Sequence, residues 1–170
     1  GIPINLSRIT NVLLIEDCAQ ALGAYIKGES VGLKGSVGIY SFYATKMITS
    51  GGQGGMVVSK DQAVVEKIRD YREFDYRKDM LSRFNFQLTD LQAAIGRVQL
   101  SRLPKFLERR KYIFETYKQY FPMFEPNVRS NDEEAVCYRA VMKTETPQDI
   151  INCLNNGGIK SIVPIEDWEL

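Results

Sequence analysis

Short apolar runs that end in polar residues mark three strands in the first third of the chain. Residues 12–15 read Val-Leu-Leu-Ile and are followed at once by Glu16 and Asp17. A continuous apolar run of this kind predicts a strand buried on both faces. Residues 36–42 and 56–58 predict two further strands. In open α/β sheets ligands bind at the carboxyl ends of the strands, so Asp17 lies at the predicted binding edge.

Two helices are predicted from start signals that precede apolar residues at helical spacing. Ser59 with Gln62, and Thr89 with Gln92, have the capping-box spacing, in which the two side chains bond each other's backbone N–H groups. Apolar positions recur every three or four residues behind both signals, so each predicted helix packs one face towards a core. The charged and aromatic residues 70–79 between them predict a solvated loop with packed rings, or alternatively a site where an arginine binds phosphate.

The second half of the chain predicts two more helices and two more strands. Pro104 marks the start of a helix with an aromatic and aliphatic stripe. Residues 122–131 resemble a linker. Residues 135–142 predict a strand, residues 146–158 a helix that starts at a proline and stops at glycines, and residues 159–165 a final strand. Strands interleaved with helices indicate an α/β protein.

Glycines are frequent in two segments. Residues 20–35 predict a short helix followed by turns, because no G-x-x-x-x-G-K-[ST] motif or helix-opening G-x-G-x-x-G motif is completed there. Residues 49–55 contain four glycines. Such a loop either lets the backbone approach a ligand closely or simply returns the chain tightly into a strand, and both interpretations stay open.

Composition excludes several classes of function. The 170 residues are 44% hydrophobic, enough for a real core, and 22 basic residues balance 21 acidic ones to a net charge of +1. A net charge this close to zero gives no indication of binding to nucleic acid or to an anionic membrane. No apolar run approaches the roughly 20 residues needed to span a bilayer, and the start lacks a signal-peptide pattern, so a cytoplasmic location is expected.

Histidine and cysteine usage narrows the chemistry further. The chain has no histidine, which removes His-dependent triads and most zinc hydrolases. Its three cysteines are widely spaced and form no C-x-x-C pair, so neither a disulfide framework nor a metal site is expected. Lysine, acids, tyrosine and cysteine remain as catalytic candidates.

Asp17 and Lys46 form a pair with a definite chemical meaning. Each follows a predicted strand, so the two side chains can face one small molecule across the same sheet edge. Pyridoxal phosphate requires a lysine that forms a Schiff base and an acid that keeps the ring nitrogen protonated. Taken singly, Lys46 is typical of a surface lysine and Asp17 of a cap or turn residue.

Four segments carry a resemblance to a known family. The chain resembles the DegT/DnrJ/EryC1/StrS family of sugar aminotransferases at IEDCAQALGA (15–24), SFYATK (41–46), GQGGMVV (52–58) and LSRFNFQLTDLQAA (81–94). The resemblance implies that Lys46 is the Schiff-base lysine and Asp17 the partner of the pyridinium nitrogen. It further implies that Gln20 lies against the cofactor ring, that Ser41 binds the phosphate, and that Asn85 reaches the phosphate of a neighbouring subunit.

The chain also departs from the family pattern. A subgroup has histidine at the lysine position and performs dehydration, so Lys46 favours amino transfer. The family usually has an acid at Gln53, glycine at Arg83 and arginine at Gln87.

The resemblance implies a partial fold of the PLP-transferase type, similar to aspartate aminotransferase, since it covers about the second half of the family pattern. Residues 1–100 are expected to form part of the cofactor-binding large-domain sheet. Residues 101–170 are expected to form a linking helix and an incomplete α+β small domain. The implied reaction transfers an amino group, from glutamate, to a nucleotide-linked keto sugar. The implied partners are substrate, amino donor, and a second copy of the chain or a separate N-terminal half.

Two alternatives remain open. The chain can be a catalytically silent truncated homologue that acts as an assembly partner or is a remnant. It can also be a fragment of a full-length enzyme. Incubation with pyridoxal phosphate separates the silent homologue from the enzyme.

Overall fold

The computed structural model of the chain describes residues 1–6, 8–121 and 133–163. The elements in chain order are β1 (Ile15–Asp17), β2 (Tyr25–Ile26), β3 (Glu29–Ser30), β4 (Val37–Ser41), β5 (Gly55–Val58), α1 (Gln62–Tyr71), α2 (Asp90–Ser101), α3 (Leu103–Tyr120), β6 (Glu133–Glu134) and α4 (Pro147–Asn156). The α/β class is therefore confirmed. The predicted linker at residues 122–131 lies outside the described residues.

The first sheet has the strand order β1-β4-β5. β1 runs parallel to β4, with Asp17 opposite Ile39, and β5 runs antiparallel to β4, with Gly55 opposite Ser41. Two of the three strands predicted in this region, β4 and β5, are confirmed. Because β1 and β4 are parallel, their carboxyl ends meet at one edge of the sheet. Asp17 and Ser41 are the last residues of these two strands.

β1 differs from its prediction in both position and burial. The strand begins at Ile15, and the apolar side chains of Val12, Leu13 and Ile15 are 61%, 81% and 58% exposed. The expectation of a strand buried on both faces is therefore wrong for the described residues. Only one face of β1 is covered, since Glu16, whose side chain lies on the face opposite Ile15, is 8% exposed. A strand needs covering neighbours before a continuous apolar run is buried.

The second sheet has the order β3-β2-β6. Lys27 and Gly28 both have positive φ, 52° and 75°, which is the type I′ turn that joins the hairpin strands β2 and β3. Turns and this hairpin occupy the segment after Gln20, so the predicted short helix is wrong. The strand predicted at residues 135–142 is also wrong, since β6 ends at Glu134. Tyr138 N–H donates to the Val136 carbonyl at 2.8 Å, a γ-turn that interrupts extended backbone.

The start of α1 corrects another prediction. Asp61, and not Ser59, is the N-cap, and its carboxylate accepts the Ala63 N–H at 2.9 Å. Ser59 Oγ instead donates to the Ser36 carbonyl at 2.7 Å. The Ser59 hydroxyl, which the local pattern predicted to cap the helix, thus makes a long-range hydrogen bond instead.

The other helices follow their start signals. Thr89 and Gln92 form both hydrogen bonds of the capping box at α2. Pro104 and Pro147 lie in the first turns of α3 and α4. The last predicted strand is not found at residues 159–163, and its end lies outside the described residues.

One hydrophobic core joins the early strands to α3 and the segment after β6. Its buried members are Cys18, Ala24, Ile26, Val31, Phe42, Met47, Ile48, Leu103, Val136 and Tyr138. Met47 and Ile48 are only 4% and 2% exposed. The residues directly after Lys46 are therefore held in the core, which fixes the backbone that carries the lysine.

Candidate functional site

Asp17 ends β1 at the sheet edge and begins a turn. Its Oδ1 accepts the N–H of Ala19 at 2.9 Å, and the Cys18 N–H continues the pairing with β4 by donating to the Ile39 carbonyl at 2.9 Å. An aspartate that bonds the backbone two residues ahead forms an Asx-turn, which fixes the direction of the side chain. The carboxylate is exposed and so can meet a ligand at this edge.

Lys46 lies on the loop that follows β4, and backbone hydrogen bonds hold this loop in place. Its N–H donates to the Tyr43 carbonyl at 2.9 Å, while Phe42 and Ala44 N–H donate to the Gly54 and Gly52 carbonyls at 2.8 and 3.0 Å. The Lys46 side chain is half-buried. These backbone bonds, together with the buried residues that follow, fix the backbone that carries the amine.

The glycine segment after Lys46 returns the chain into β5. Gly51 and Gly52 have φ values of 84° and 134°, which disfavour any other residue. Gly52 also forms a parallel bridge with Tyr43. Of the two interpretations left open for this loop, the tight return accounts for these features.

Tyr138 contacts the lysine loop from the far end of the chain. Lys46 Nζ lies 5.9 Å from the centroid of the Tyr138 ring, and the Tyr138 hydroxyl donates to the Thr45 carbonyl at 3.2 Å. The Tyr138 side chain is 8% exposed. Sequence reasoning missed this residue, because nothing local to position 138 signals a contact made 93 residues away.

Glu16 has a structural role that sequence reasoning missed. It is 8% exposed, and its carboxylate accepts the N–H groups of Gly32 at 2.9 Å, Lys34 at 2.7 Å and Gly35 at 2.6 Å. A buried charge is tolerated when it is hydrogen-bonded in this way. Side chains alternate across a strand, so the alternation itself could have placed Glu16 and Asp17 on opposite faces.

Two groups near the edge are held in their neutral forms. Burial, together with the negative charges of Glu16 and Asp17, raises the pKa of the Cys18 thiol to about 11. Burial also raises the pKa of Tyr40, whose hydroxyl donates to the Val31 carbonyl. At neutral pH both side chains are therefore protonated.

The other predicted site residues fall into two places. Gln20 is exposed in the turn that follows Asp17, and Ser41 ends β4 with its Oγ accepting the Tyr43 N–H at 3.3 Å. The structure therefore places Asp17 and Ser41 at the carboxyl ends of neighbouring parallel strands, with Gln20 in the turn after β1 and Lys46 on the loop after β4. Asn85 lies elsewhere, exposed on a segment that runs beside the end of α1.

The segment that carries Asn85 is held by rings and by one arginine. The rings of Phe84 and Phe86 stack at 5.2 Å, and Phe84 packs on Tyr71 at 5.1 Å. Arg83 donates to Asp79 and Asp70, and these bonds lower the pKa of Asp79 to about 2.

Arg77 in the loop before this segment is engaged as well. It contacts Asp70 at 3.5 Å and Glu73 at 4.0 Å. Because Arg77 is paired with two acids, these contacts favour the predicted loop with packed rings over a phosphate-binding site at Arg77.

The described residues form neither a membrane-spanning helix nor a metal-binding cluster. Within the described residues, no helix combines the length and apolar character needed to cross a bilayer. In the same part of the chain, no group of three or more Cys, Asp or Glu side chains is arranged to hold a metal ion.

Curated relatives of the chain are nucleotide-sugar enzymes. It is 34% identical over 122 residues to GDP-perosamine synthase of Escherichia coli O157:H7, covering 68% of this chain and 33% of that protein. It is 37% identical over 124 residues to UDP-4-amino-4,6-dideoxy-N-acetyl-beta-L-altrosamine transaminase of Campylobacter jejuni, covering 69% and 33%. The chain thus spans about a third of the length of these relatives.

Solved structures agree with the sequence relatives. The sugar aminotransferase Spr1654 of Streptococcus pneumoniae in its PLP form superposes with a TM-score of 0.76 at 26% identity, covering 93% of this chain and 45% of that one. This structural likeness, with the family assignment below, indicates pyridoxal phosphate as the cofactor.

The profile of the DegT/DnrJ/EryC1/StrS aminotransferase family matches residues 4–164. That range contains all four motifs on which the resemblance was based, so the prediction of family is confirmed. The chain belongs to the DegT/DnrJ/EryC1/StrS aminotransferase family.

Proposed function

We propose that the chain is the cofactor-bearing part of an aminotransferase that moves an amino group from glutamate to a nucleotide-linked keto sugar. The observation that carries the proposal is the parallel pairing of β1 and β4, because the exposed carboxylate of Asp17 ends β1 and the loop that carries the half-buried Lys46 follows β4. The substrate class is supported by the GDP- and UDP-sugar relatives. Residues 1–100 supply the large-domain part of this enzyme and residues 101–170 the linking helix and small-domain part.

The residues at the edge fit pyridoxal phosphate by their chemistry. The edge offers an acid, a primary amine, a carboxamide and a hydroxyl, from Asp17, Lys46, Gln20 and Ser41. Asn85, on its separate segment, serves the phosphate of a second copy of the chain in a homo-oligomer. When bound, pyridoxal phosphate supplies an electron sink for charge that develops on the amino donor.

Each side chain then has a defined task. Asp17 accepts a hydrogen bond from the protonated ring nitrogen, and its Asx-turn keeps the carboxylate pointed for that contact. Lys46 would hold the cofactor through Nζ, and its free amine would take a proton from the α-carbon of the donor as general base. Ser41 Oγ donates to a phosphate oxygen, because its lone pair already accepts the Tyr43 N–H.

Absorbance of the loaded chain tests this proposal. Incubation with pyridoxal phosphate is expected to give a visible band that borohydride reduction converts into a stable lysine adduct, mapped to Lys46 by peptide mass. Lys46→Ala is expected to abolish the band. Lys111→Ala, which removes an exposed lysine on α3, is the matched control and is expected to keep it. A band that survives Lys46→Ala contradicts the assignment.

A second candidate is a catalytically silent homologue that acts as an assembly partner. The exposed apolar side chains on the first sheet favour it, since Leu13, Ile15 and Val57 are 81%, 58% and 42% exposed. Such a surface fits a separate N-terminal half or a second copy. Two results together support this candidate over the enzyme. The chain gives no visible band with pyridoxal phosphate, and size-exclusion chromatography shows a stable complex with a second copy or with a separate N-terminal half.

A further inference from the structure

We propose that Tyr138 is a positioning residue for Lys46: its ring restricts the ammonium group and its hydroxyl holds the backbone beside it. The inference rests on the proposed function of Lys46 and adds a residue to that site. It is carried by two separate contacts of one buried side chain with neighbouring residues, Thr45 and Lys46.

The first contact is between the ring and the ammonium group. Lys46 Nζ lies 5.9 Å from the Tyr138 ring centroid, within the distance at which a cation is attracted by the negative face of an aromatic ring. A lysine side chain has many rotamers of similar energy, so even a weak attraction changes their populations. The ring therefore favours the rotamers of Lys46 that keep the amine beside it at the sheet edge.

The second contact fixes the main chain. The Tyr138 hydroxyl donates to the Thr45 carbonyl at 3.2 Å, and that carbonyl belongs to the peptide unit whose N–H is that of Lys46. The same N–H donates to the Tyr43 carbonyl at 2.9 Å. Both sides of one peptide unit are thus bonded, so its plane cannot rotate without breaking a hydrogen bond.

Tyr138 is itself rigidly held. Arg110 on α3 donates to the Tyr138 carbonyl at 3.0 Å and to the Cys137 carbonyl at 3.4 Å. The Arg139 guanidinium lies 5.5 Å from the Tyr138 ring centroid, and Val136 beside it is buried in the core. A side chain anchored in this way can restrict a more mobile one. The lysine loop is consequently linked to α3 through Tyr138.

Nuclear magnetic resonance of the chain without cofactor tests the inference directly. The ε-methylene protons of Lys46, assigned with Lys46→Arg, are expected to show nuclear Overhauser contacts to the Tyr138 ring and an upfield ring-current shift. These signals need no substitution at position 138, so they stay decisive if a variant does not fold. Lys46 ε-protons at the shift of solvent-exposed lysines, without those contacts, overturn the proposal.

Two variants separate the roles of the ring and the hydroxyl. Tyr138→Phe is expected to keep the ring-current shift but to weaken amide-exchange protection of Lys46. Tyr138→Leu is expected to lose both and to slow the attachment of pyridoxal phosphate at Lys46 by about two- to fivefold, since a cation–π contact of this kind changes populations by that factor. Tyr112→Leu, which removes the ring 5.0 Å from Arg109, is the matched control and is expected to change neither.

The outcomes also separate this inference from the proposed function. If pyridoxal phosphate never attaches but the ring-current shift is present, the function of Lys46 is wrong and the contact with Tyr138 stands. If attachment occurs at the same rate in Tyr138→Leu as in the unsubstituted chain, the positioning role is wrong and the function stands.

Discussion

Replacing the buried carboxylate of Glu16 is expected to destabilise the whole fold. In Glu16→Gln the amide oxygen can still accept the N–H groups of Lys34 and Gly35, which share Oε1. The amide NH₂ group then faces the Gly32 N–H, which loses its acceptor at Oε2. One charge-assisted hydrogen bond is replaced by a donor facing a donor, and two others become neutral.

The expected magnitude is smaller than the sum of those three bonds, because they share one carboxylate and their contributions are not additive. A hydrogen bond to a charged group contributes roughly 1.5–3 kcal/mol, and a neutral one about 1 kcal/mol. The free energy of unfolding is therefore expected to fall by about 2–4 kcal/mol in Glu16→Gln. Glu16→Ala leaves all three N–H groups without the carboxylate and is expected to cost about 3–5 kcal/mol. Against the roughly 5–15 kcal/mol of a typical domain, either loss is large.

Urea unfolding followed by circular dichroism measures this loss. The midpoint is expected to shift down by about 1–2 M with an unchanged slope, because the slope reflects the surface exposed on unfolding. Glu66→Gln, at an exposed carboxylate that bonds Gln62 within α1, is the matched control and is expected to leave the midpoint in place. Equal midpoints for Glu16→Gln and Glu66→Gln refute the reasoning.

Two further predictions concern a thiol and a glycine. Because the pKa of Cys18 is raised to about 11, iodoacetamide at pH 8 is expected to alkylate the exposed Cys153 well before Cys18. For the same reason, the free energy of unfolding is expected to fall as the pH rises from about 9 to 11. Rapid labelling of Cys18 at pH 8 contradicts this prediction. In Gly38→Ala the new Cβ lies 2.3 Å from the backbone of Gly32, so thermal unfolding is expected to show a loss of about 1–3 kcal/mol in the free energy of unfolding. In the control Gly28→Ala the new Cβ meets no atom within 4 Å, and only the strain of the φ of 75° remains. Equal losses in the two variants contradict the steric argument.

Local signals in the sequence predicted the elements whose stability is local. The capping box at Thr89 and the proline at position 104 each start a helix through contacts within a few residues, so both predictions are confirmed. The short strands β4 and β5 also follow from their own apolar residues. The rule for the carboxyl ends of parallel strands accounts for Asp17 and Ser41 at one edge, and that Lys46 faces Asp17 there stays a prediction.

The parts that were not predicted depend on distant residues. Ser59 has the right spacing for a cap, but its hydroxyl contacts Ser36, which no local pattern shows. Residues 12–15 have the composition of a buried strand, yet burial depends on which other elements pack over their side chains. Tyr138 reaches the lysine loop across 93 residues. Each error therefore arises where a tertiary contact overrides a local preference.

The tip of the hairpin formed by β2 and β3 is a suitable site for attaching a label. This tip, Lys27 and Gly28, is exposed, and tips of this kind tolerate inserted residues well. Ile26, directly before the tip, pairs with Glu133 in β6. A fluorophore attached at the tip would therefore sense whether the late segment of the chain stays docked, while leaving the lysine edge chemically untouched.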